Sequence, residues 1–145
     1  ARDISELLQE SDLPTVRLQT SVSVAWHAPC SLQHGQRVTD APQRLLRAAG
    51  FEVRTPQDSH LCCGSAGTFN LLQPKLAAQL GERKAANLRR LDTQVVASSN
   101  IGCAMQIARH GNLPVVHLVE LLDWATGGSA PVSLAQLDQS EAQRQ

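Results

Sequence analysis

The chain lacks an excess of charge of either sign. Thirteen lysines and arginines balance 13 aspartates and glutamates over 145 residues, and the basic residues are scattered along the sequence. Binding to nucleic acid or to an anionic membrane surface needs a concentrated basic patch. The sequence therefore predicts neither partner.

Long apolar runs are also missing. No stretch approaches the roughly 20 apolar residues that span a bilayer, and the amino end lacks the basic and apolar regions of a secretion signal. We therefore expect a cytoplasmic protein without a transmembrane segment. Because the sequence opens without methionine and inside a predicted helix, we interpret it as a piece of a longer polypeptide.

Several signatures of enzymes are absent as well. There is no Ser-His-Asp ordering, no glycine fingerprint for phosphate and no pair of carboxylates in a plausible cleft, so hydrolase and nucleotide-binding functions have little support. With 42% hydrophobic residues, the chain can build one core. The expected division is the end of a preceding helix or linker over 1–20, one domain over 21–127 and a flexible tail over 128–145.

What the sequence does have is four cysteines, at Cys30, Cys62, Cys63 and Cys103. Thirty-one residues separate the first two, and 39 separate the last two. No local turn can gather thiols at such spacings, so only the tertiary fold could bring them together. In a reducing cytosol, metal or redox chemistry is a more natural use for them than disulfides.

Strand and helix patterns alternate along the chain. The first expected strand starts at Ser21, and three more cover 51–54, 94–98 and 114–117. The expected helices cover 3–10, 40–50, 101–110 and 119–125. A further helical stretch follows Gly67, with a break predicted at Pro74. We place its leucines on one side and its charged run, including Lys84, on a solvated face.

This alternation predicts an α/β domain with a mostly parallel sheet and right-handed crossovers. Parallel strands end at one edge of the sheet. Cys30, the Cys62-Cys63 pair and Cys103 each follow a different strand, so all four cysteines lie at carboxyl ends. We expect them to meet at that edge, where open α/β sheets bind ligands.

The residues alone leave the occupant of this edge open. Four thiolates suit a tetrahedral zinc ion or an iron-sulfur cluster, and buried free cysteines can also be simple core residues. Zinc knuckles usually show Cys-x-x-Cys pairs, which this chain lacks. Adjacent thiols are awkward ligands for one small ion, whereas they can bind different irons of a larger cluster.

Other residues near the thiols are candidates for supporting roles. His27 could be a ligand, a proton donor, a hydrogen-bond partner of a ligand or an ordinary strand-end histidine. Gly64 and Gly102 either let the backbone approach a cluster or simply make turns. Weaker candidates at the same edge are His60, His117, Ser65, Thr68 and Asn70.

Four segments carry a resemblance to a known family: 27–30 (HAPC), 61–74 (LCCGSAGTFNLLQP), 98–106 (SSNIGCAMQ) and 116–122 (VHLVELL). The chain resembles the cysteine-rich CCG domains of heterodisulfide reductase subunits and related redox proteins. The similarity covers roughly 22–125 and is strongest to the C-terminal domain of glycolate-oxidase-type iron-sulfur subunits.

The resemblance implies a cluster-binding, electron-transfer domain. Cys30, Cys62, Cys63 and Cys103 would bind an iron-sulfur cluster of the 4Fe-4S type, with His27, Gly64 and Gly102 around them. Flavin-containing partner subunits would oxidise glycolate, and the iron-sulfur subunit would pass the electrons onward toward quinone. The parent chain would also carry an N-terminal ferredoxin-like region with two 4Fe-4S clusters. The complex would lie in the cytoplasm or at the inner face of the cytoplasmic membrane, and the isolated fragment would not be an active enzyme.

The chain departs from the family pattern at one position. The fuller motif ends in Cys-x-x-Cys, but Gln106 stands where the last cysteine would be. A cubane cluster, a zinc ion and a metal-free site all stay open, whereas a non-cubane cluster would lack one thiol. The rival interpretation is a non-catalytic docking module, zinc-stabilised or metal-free, that assembles the oxidase complex.

Overall fold

The structure is a computed structural model that describes residues 2–13 and 21–135. Four parallel strands form one sheet in the order β2-β1-β3-β4. The strands are β1 (Ser23–His27), β2 (Glu52–Arg54), β3 (Val95–Ser98) and β4 (Val115–His117). The helices are α1 (Ile4–Glu10), α2 (Ala41–Ala48), α3 (Phe69–Leu72), α4 (Pro74–Arg89), α5 (Ile101–Gly111) and α6 (Leu118–Ala125). The predicted α/β class with a parallel sheet is confirmed.

Local sequence signals explain where most helices begin and end. Asp3 and Glu6 form a capping box at the start of α1, and Asn100 caps α5 by accepting from the backbone N–H of Cys103. Pro74 starts α4 and separates it from α3, as predicted. The sequence analysis missed one element, a π-helix over Ser31–Gln36 that starts directly after Cys30.

The two central strands bury both of their faces. Val24 and Trp26 of β1 pack in a core with α2 and α6, whereas Ala25 packs with α4 and α5 on the opposite face. Side chains alternate along a strand, so His27 belongs to the face of Ala25. On β3, the same alternation puts Ser98 on the face of Val96.

The predicted faces of α4 need correction. Its buried residues are Ala77, Gly81, Lys84, Ala85 and Leu88. Leu76 is 51% exposed and Lys84 is fully buried, so one leucine and one charged residue lie on the wrong sides in the prediction. The cause is close packing of α4 on α5: a Cβ on Gly81 would lie 2.5 Å from the ring of His110, so small residues occupy the contact.

The order of strands creates a switch point at the centre of the sheet. The chain moves from β1 outward to β2, returns to β3 beside β1, and then moves outward to β4. The paired strand ends His27 and Ser98 lie at this switch point. Crevices at the carboxyl ends of such strands are the usual ligand sites of open α/β sheets.

The predicted linker and tail lie partly outside the described residues, which exclude 14–20 and 136–145. Within the described part of the linker region, Leu8 and Leu13 pack against the core that contains α2. Across 2–13 and 21–135, no helix combines the length and apolar character needed to cross a bilayer.

Candidate metal centre

Cys30 enters the site from the end of β1. The strand ends at His27, Pro29 is buried, and Cys30 is the residue that precedes the π-helix. The N–H of Leu32 donates to the carbonyl of Pro29 at 3.0 Å, which closes the turn that holds the cysteine. The thiol of Cys30 is partly exposed and free.

The Cys62-Cys63 pair lies in the loop between β2 and α3. Cys63 is buried with 2% exposure, whereas Cys62 is partly exposed. The backbone N–H of Gly64 donates to the sulfur of Cys62 at 3.3 Å, and Cys63 Sγ lies 3.4 Å from Ser65 Oγ. Backbone and side-chain donors are therefore already directed at both sulfurs.

Gly64 is required by both conformation and space. Its φ is +88°, and a Cβ there would lie 2.5 Å from the carbonyl oxygen of Ala77 in α4. A side chain would therefore push the thiol pair away from the helix. Gly102 is less constrained, because an added Cβ would meet Ser65 Oγ and Asn100 Oδ1 at 3.2 Å.

Cys103 lies in the first turn of α5, as predicted. Its backbone N–H donates to Asn100 Oδ1 at 3.1 Å, and its side chain is buried with 7% exposure. The partial positive charge at a helix N-terminus favours thiolates nearby. This position therefore suits a group that binds metal.

His27, Cys63 and Cys103 form the compact centre of the site. Each offers one ligand atom, and these atoms all lie within 4.8 Å of one another. Both ring nitrogens of His27 are buried, and within residues 2–13 and 21–135 neither has a hydrogen-bond partner of good geometry, although Cys63 is close. Buried polar atoms are rarely left unpaired, so this imidazole, together with the sulfur donors, fits a metal ion or cluster.

The charges of the thiols are strongly coupled. The hydrogen bond from Cys103, followed by the nearby imidazole of His27 and the hydroxyl of Ser65, lowers the pKa of Cys63 to about 3 against the opposing effect of burial. The same hydrogen bond to Cys63, together with burial, raises the pKa of Cys103. One thiolate and one protonated thiol thus share a proton in the metal-free site.

Burial is the main influence on the pKa values of Cys30 and His27. Burial raises the pKa of Cys30, and the neighbouring Cys62 raises it further through charge and a hydrogen bond. For His27, burial lowers the pKa more than Cys63 raises it. The imidazole is therefore neutral at physiological pH, the form in which histidine binds metals.

The sequence analysis missed the role of Lys84. Its Nζ donates to the carbonyl oxygens of Asp58 and Ser59, at 3.2 Å each, in the loop that leads to Cys62. Burial lowers the pKa of Lys84, while the four thiols act in the opposite direction. The signal in the sequence is helical spacing: Lys84 falls on the same face of α4 as the small residues Ala77, Gly81 and Ala85, which the structure buries.

Gln106 also has a defined role. This residue stands where the family pattern has its last cysteine, and its Nε2 donates to the carbonyl of Ala77 at 3.0 Å. The bond joins α5 to α4 and is buried. Gln106 thus replaces a thiol with a link between the two helices that carry the site.

The weaker candidates do not join this cluster. His60, Thr68 and Asn70 are exposed. The Nδ1 of His117 accepts from the N–H of Val119 and caps α6. Ser65 is the exception, because its hydroxyl contacts Cys63.

Comparison with known proteins identifies the family. The model of the CCG cysteine-rich domain matches residues 24–108, which include all four cysteines. The chain belongs to the CCG cysteine-rich domain family. Because the match extends from β1 into α5, the family assignment covers the whole candidate metal centre.

Curated relatives of this CCG domain include redox proteins. The glycolate oxidase iron-sulfur subunit of Escherichia coli (strain K12) is 38% identical over 86% of this chain and 31% of its own length. One subunit of the fumarate reductase (CoM/CoB) of Methanothermobacter marburgensis is 31% identical over 85% of this chain and 27% of its own. Lactate utilization protein A of Bacillus licheniformis is 30% identical over 68% of this chain and 44% of its own. The CCG domain therefore spans less than half of the curated relatives it matches.

Proposed function

We propose that this chain is the cluster-binding, electron-transfer domain of a larger oxidoreductase. Cys30, Cys62, Cys63 and Cys103 are its proposed ligands for an iron-sulfur cluster. The observation that carries the proposal is the meeting of His27, Cys63 and Cys103 within 4.8 Å at the switch point of a CCG domain. When bound, such a cluster would supply one-electron redox chemistry.

The residues around the thiols have distinct proposed tasks. The N–H of Gly64 and the hydroxyl of Ser65 donate to sulfur, which lowers electron density on the ligands and favours the reduced state. His27 is placed to donate a hydrogen bond to a ligating sulfur. Gly102 leaves room for Ser65 beside the start of α5.

The relatives support a more specific assignment within this proposal. The parent protein is proposed to be a glycolate-oxidase-type iron-sulfur subunit that receives electrons from flavin-containing subunits and passes them toward quinone. A ferredoxin-like region of the same parent chain would carry further 4Fe-4S clusters. The complex would be cytoplasmic, or held at the inner face of the cytoplasmic membrane. The similarity to an iron-sulfur subunit of a glycolate oxidase is the support for these finer statements.

A second candidate function follows from the compactness of the centre. One imidazole and two thiols within 4.8 Å also suit a single zinc ion, which is usually four-coordinate with nitrogen and sulfur ligands. In that case the domain would be a zinc-stabilised docking module that holds the subunits of the complex together. Its contribution would be structural rather than redox.

Anaerobic expression with iron and sulfide supplied separates the two functions. For the cluster-binding domain we expect a coloured protein with visible absorption that bleaches on reduction, and iron and sulfide in elemental analysis. A colourless protein with one zinc per chain would favour the docking module. A stably folded protein without metal would contradict the cluster proposal.

Substitution of one thiol tests the proposed ligands. Cys63→Ser should abolish or greatly reduce iron binding, because it removes the most buried sulfur donor. Asn70→Ala, in an exposed position shortly after the thiol loop, is the control and should retain iron. Unchanged iron content in Cys63→Ser would eliminate Cys63 as a ligand.

A further inference from the structure

Lys84 is a fully buried lysine. Its exposure is 0%, and within the described part of the chain its ammonium donates to two groups only, the carbonyls of Asp58 and Ser59. Among the described residues, no carboxylate lies within ion-pair distance of it. A buried charge without an opposite charge is strongly unfavourable, so something must compensate this one.

The thiol site is the source of the compensating charge. Lys84 is bonded to the loop that carries the Cys62-Cys63 pair, and the thiolate of Cys63 acts on its ammonium. Cys30, Cys62 and Cys103 would add to this negative charge when they bind metal as thiolates. A site that gathers several thiolates has the reciprocal problem, because like charges repel in a medium of low dielectric constant.

We propose that Lys84 is a built-in counter-charge that raises the reduction potential of the metal centre. The inference rests on the proposed function as a cluster-binding domain. Reduction adds one electron and makes the centre more negative, and a nearby fixed positive charge stabilises that state relative to the oxidised one. Lys84 is therefore a positioning and electrostatic residue and not a ligand.

The hydrogen bonds of Lys84 fix the position of this charge. Asp58 and Ser59 precede the Cys62-Cys63 pair by a few residues, so the ammonium is tied to the loop that carries the thiols. The rest of the side chain is buried on α4. Since the charge cannot swing into solvent, its effect on the centre is little screened.

Four variants test the counter-charge. K84M removes the charge and the donor, K84Q removes the charge and keeps a donor, and K84R keeps the charge. K75M is the matched control, because Lys75 is the other lysine of the chain, lies on the same helix and is exposed. Each protein is loaded with iron and sulfide anaerobically and titrated for iron content and midpoint potential.

In K84M and K84Q we expect the redox equilibrium of the centre to shift at least tenfold toward the oxidised state. For a one-electron couple, this lowers the midpoint potential by at least about 59 mV. K84R should stay close to the wild type, and K75M should match it. Loss of iron from K84M and K84Q, with retention by K84R, would also support the counter-charge.

Other outcomes would contradict the counter-charge. Wild-type potential in K84Q, or equal loss of iron from K84Q and K84R, would overturn the inference and leave Lys84 with a packing role. K84Q decides the matter if K84M does not fold. A wild type that binds no iron would overturn the proposed function itself, and the inference with it.

Discussion

Gln33 and Lys84 donate hydrogen bonds to the same acceptor, the carbonyl oxygen of Ser59, at 3.1 and 3.2 Å. Gln33 also donates to the carbonyl of Ala28, two residues before Cys30 in the turn after β1. The shared oxygen therefore links the segment of Cys30, the loop before Cys62 and helix α4. These bonds help to position the segments that carry the two partly exposed thiols, Cys30 and Cys62.

Gln33→Met should loosen this link while keeping the length of the side chain. Two partly buried hydrogen bonds are lost, so we expect a decrease of about 1–3 kcal/mol in the free energy of unfolding. Urea denaturation of the metal-free protein measures it. Gln43→Met is the control, since the amide of Gln43 makes long local contacts with Thr39 and Arg47, at 3.4 Å each, on the exposed side of α2. Equal stabilities of the two variants would contradict the role of Gln33.

The low pKa of Cys63 predicts a dependence of stability on pH. The hydrogen bond from Cys103 holds that pKa at about 3, against 9.0 for an ordinary thiol. Between these values the unfolded chain binds one proton more than the folded chain at this group. Its contribution to stability is complete above about pH 9 and is lost as the pH falls toward 3, with a slope of up to about 1.4 kcal/mol per pH unit.

Urea denaturation of the metal-free protein at several pH values between about 5 and 8 measures this slope. Cys63→Ser removes the titrating group, so its stability should rise less steeply with pH than that of the wild type. Titrating groups remote from Cys63 are common to both proteins and cancel in the comparison, whereas His27 loses the effect by which Cys63 raises its pKa. Parallel curves would show that Cys63 is not a thiolate in the folded protein.

Gly64→Ala should be far more damaging than Gly50→Ala. Both glycines have positive φ, +88° and +97°, so both substitutions incur backbone strain. A Cβ at Gly50 would meet no atom of the described residues within 4 Å, whereas at Gly64 it would lie 2.5 Å from the carbonyl of Ala77. We expect Gly64→Ala to cost about 1–3 kcal/mol more in denaturation experiments and to reduce iron binding. Similar losses at both positions would mean that the loop shifts freely.

His27→Leu should separate stability from metal binding. In the metal-free protein the two unpaired ring nitrogens are unfavourable, so leucine should raise the free energy of unfolding by about 1–2 kcal/mol. The same variant should retain less iron or zinc. His34→Leu, in an exposed position, should change neither quantity appreciably. A destabilised His27→Leu protein with normal metal content would assign His27 to packing alone.

The sequence predicted the fold well because its local signals agree with one another. The alternation of Val22, Val24 and Trp26 indicates a strand, and Pro74 separates two helices where the structure separates them. The order of strands and helices then implied that the cysteines approach one edge. These features depend on short-range patterns that are visible along the chain.

The features that the sequence did not predict depend on contacts between distant segments. Lys84 belongs to a charged run and is buried only because α4 packs closely on α5 and the loop at 58–59 covers its ammonium. The π-helix after Cys30 has no clear local signature. Gln106 was noticed as a departure from a motif, but its bond to Ala77 requires both helices in place.

The alternation of β1 gives the metal centre an unusual sensitivity to insertion and deletion. Trp26 packs on one face of the sheet and His27 lies on the other. If the strand kept its pairing, the loss of a single residue upstream would move each of these side chains to the opposite face. An indole would then face the sulfurs, and an imidazole would enter the apolar layer beneath α2 and α6. The chemistry of this edge thus depends on the register of β1, because a shift by an odd number of residues changes which side chain faces the sulfurs.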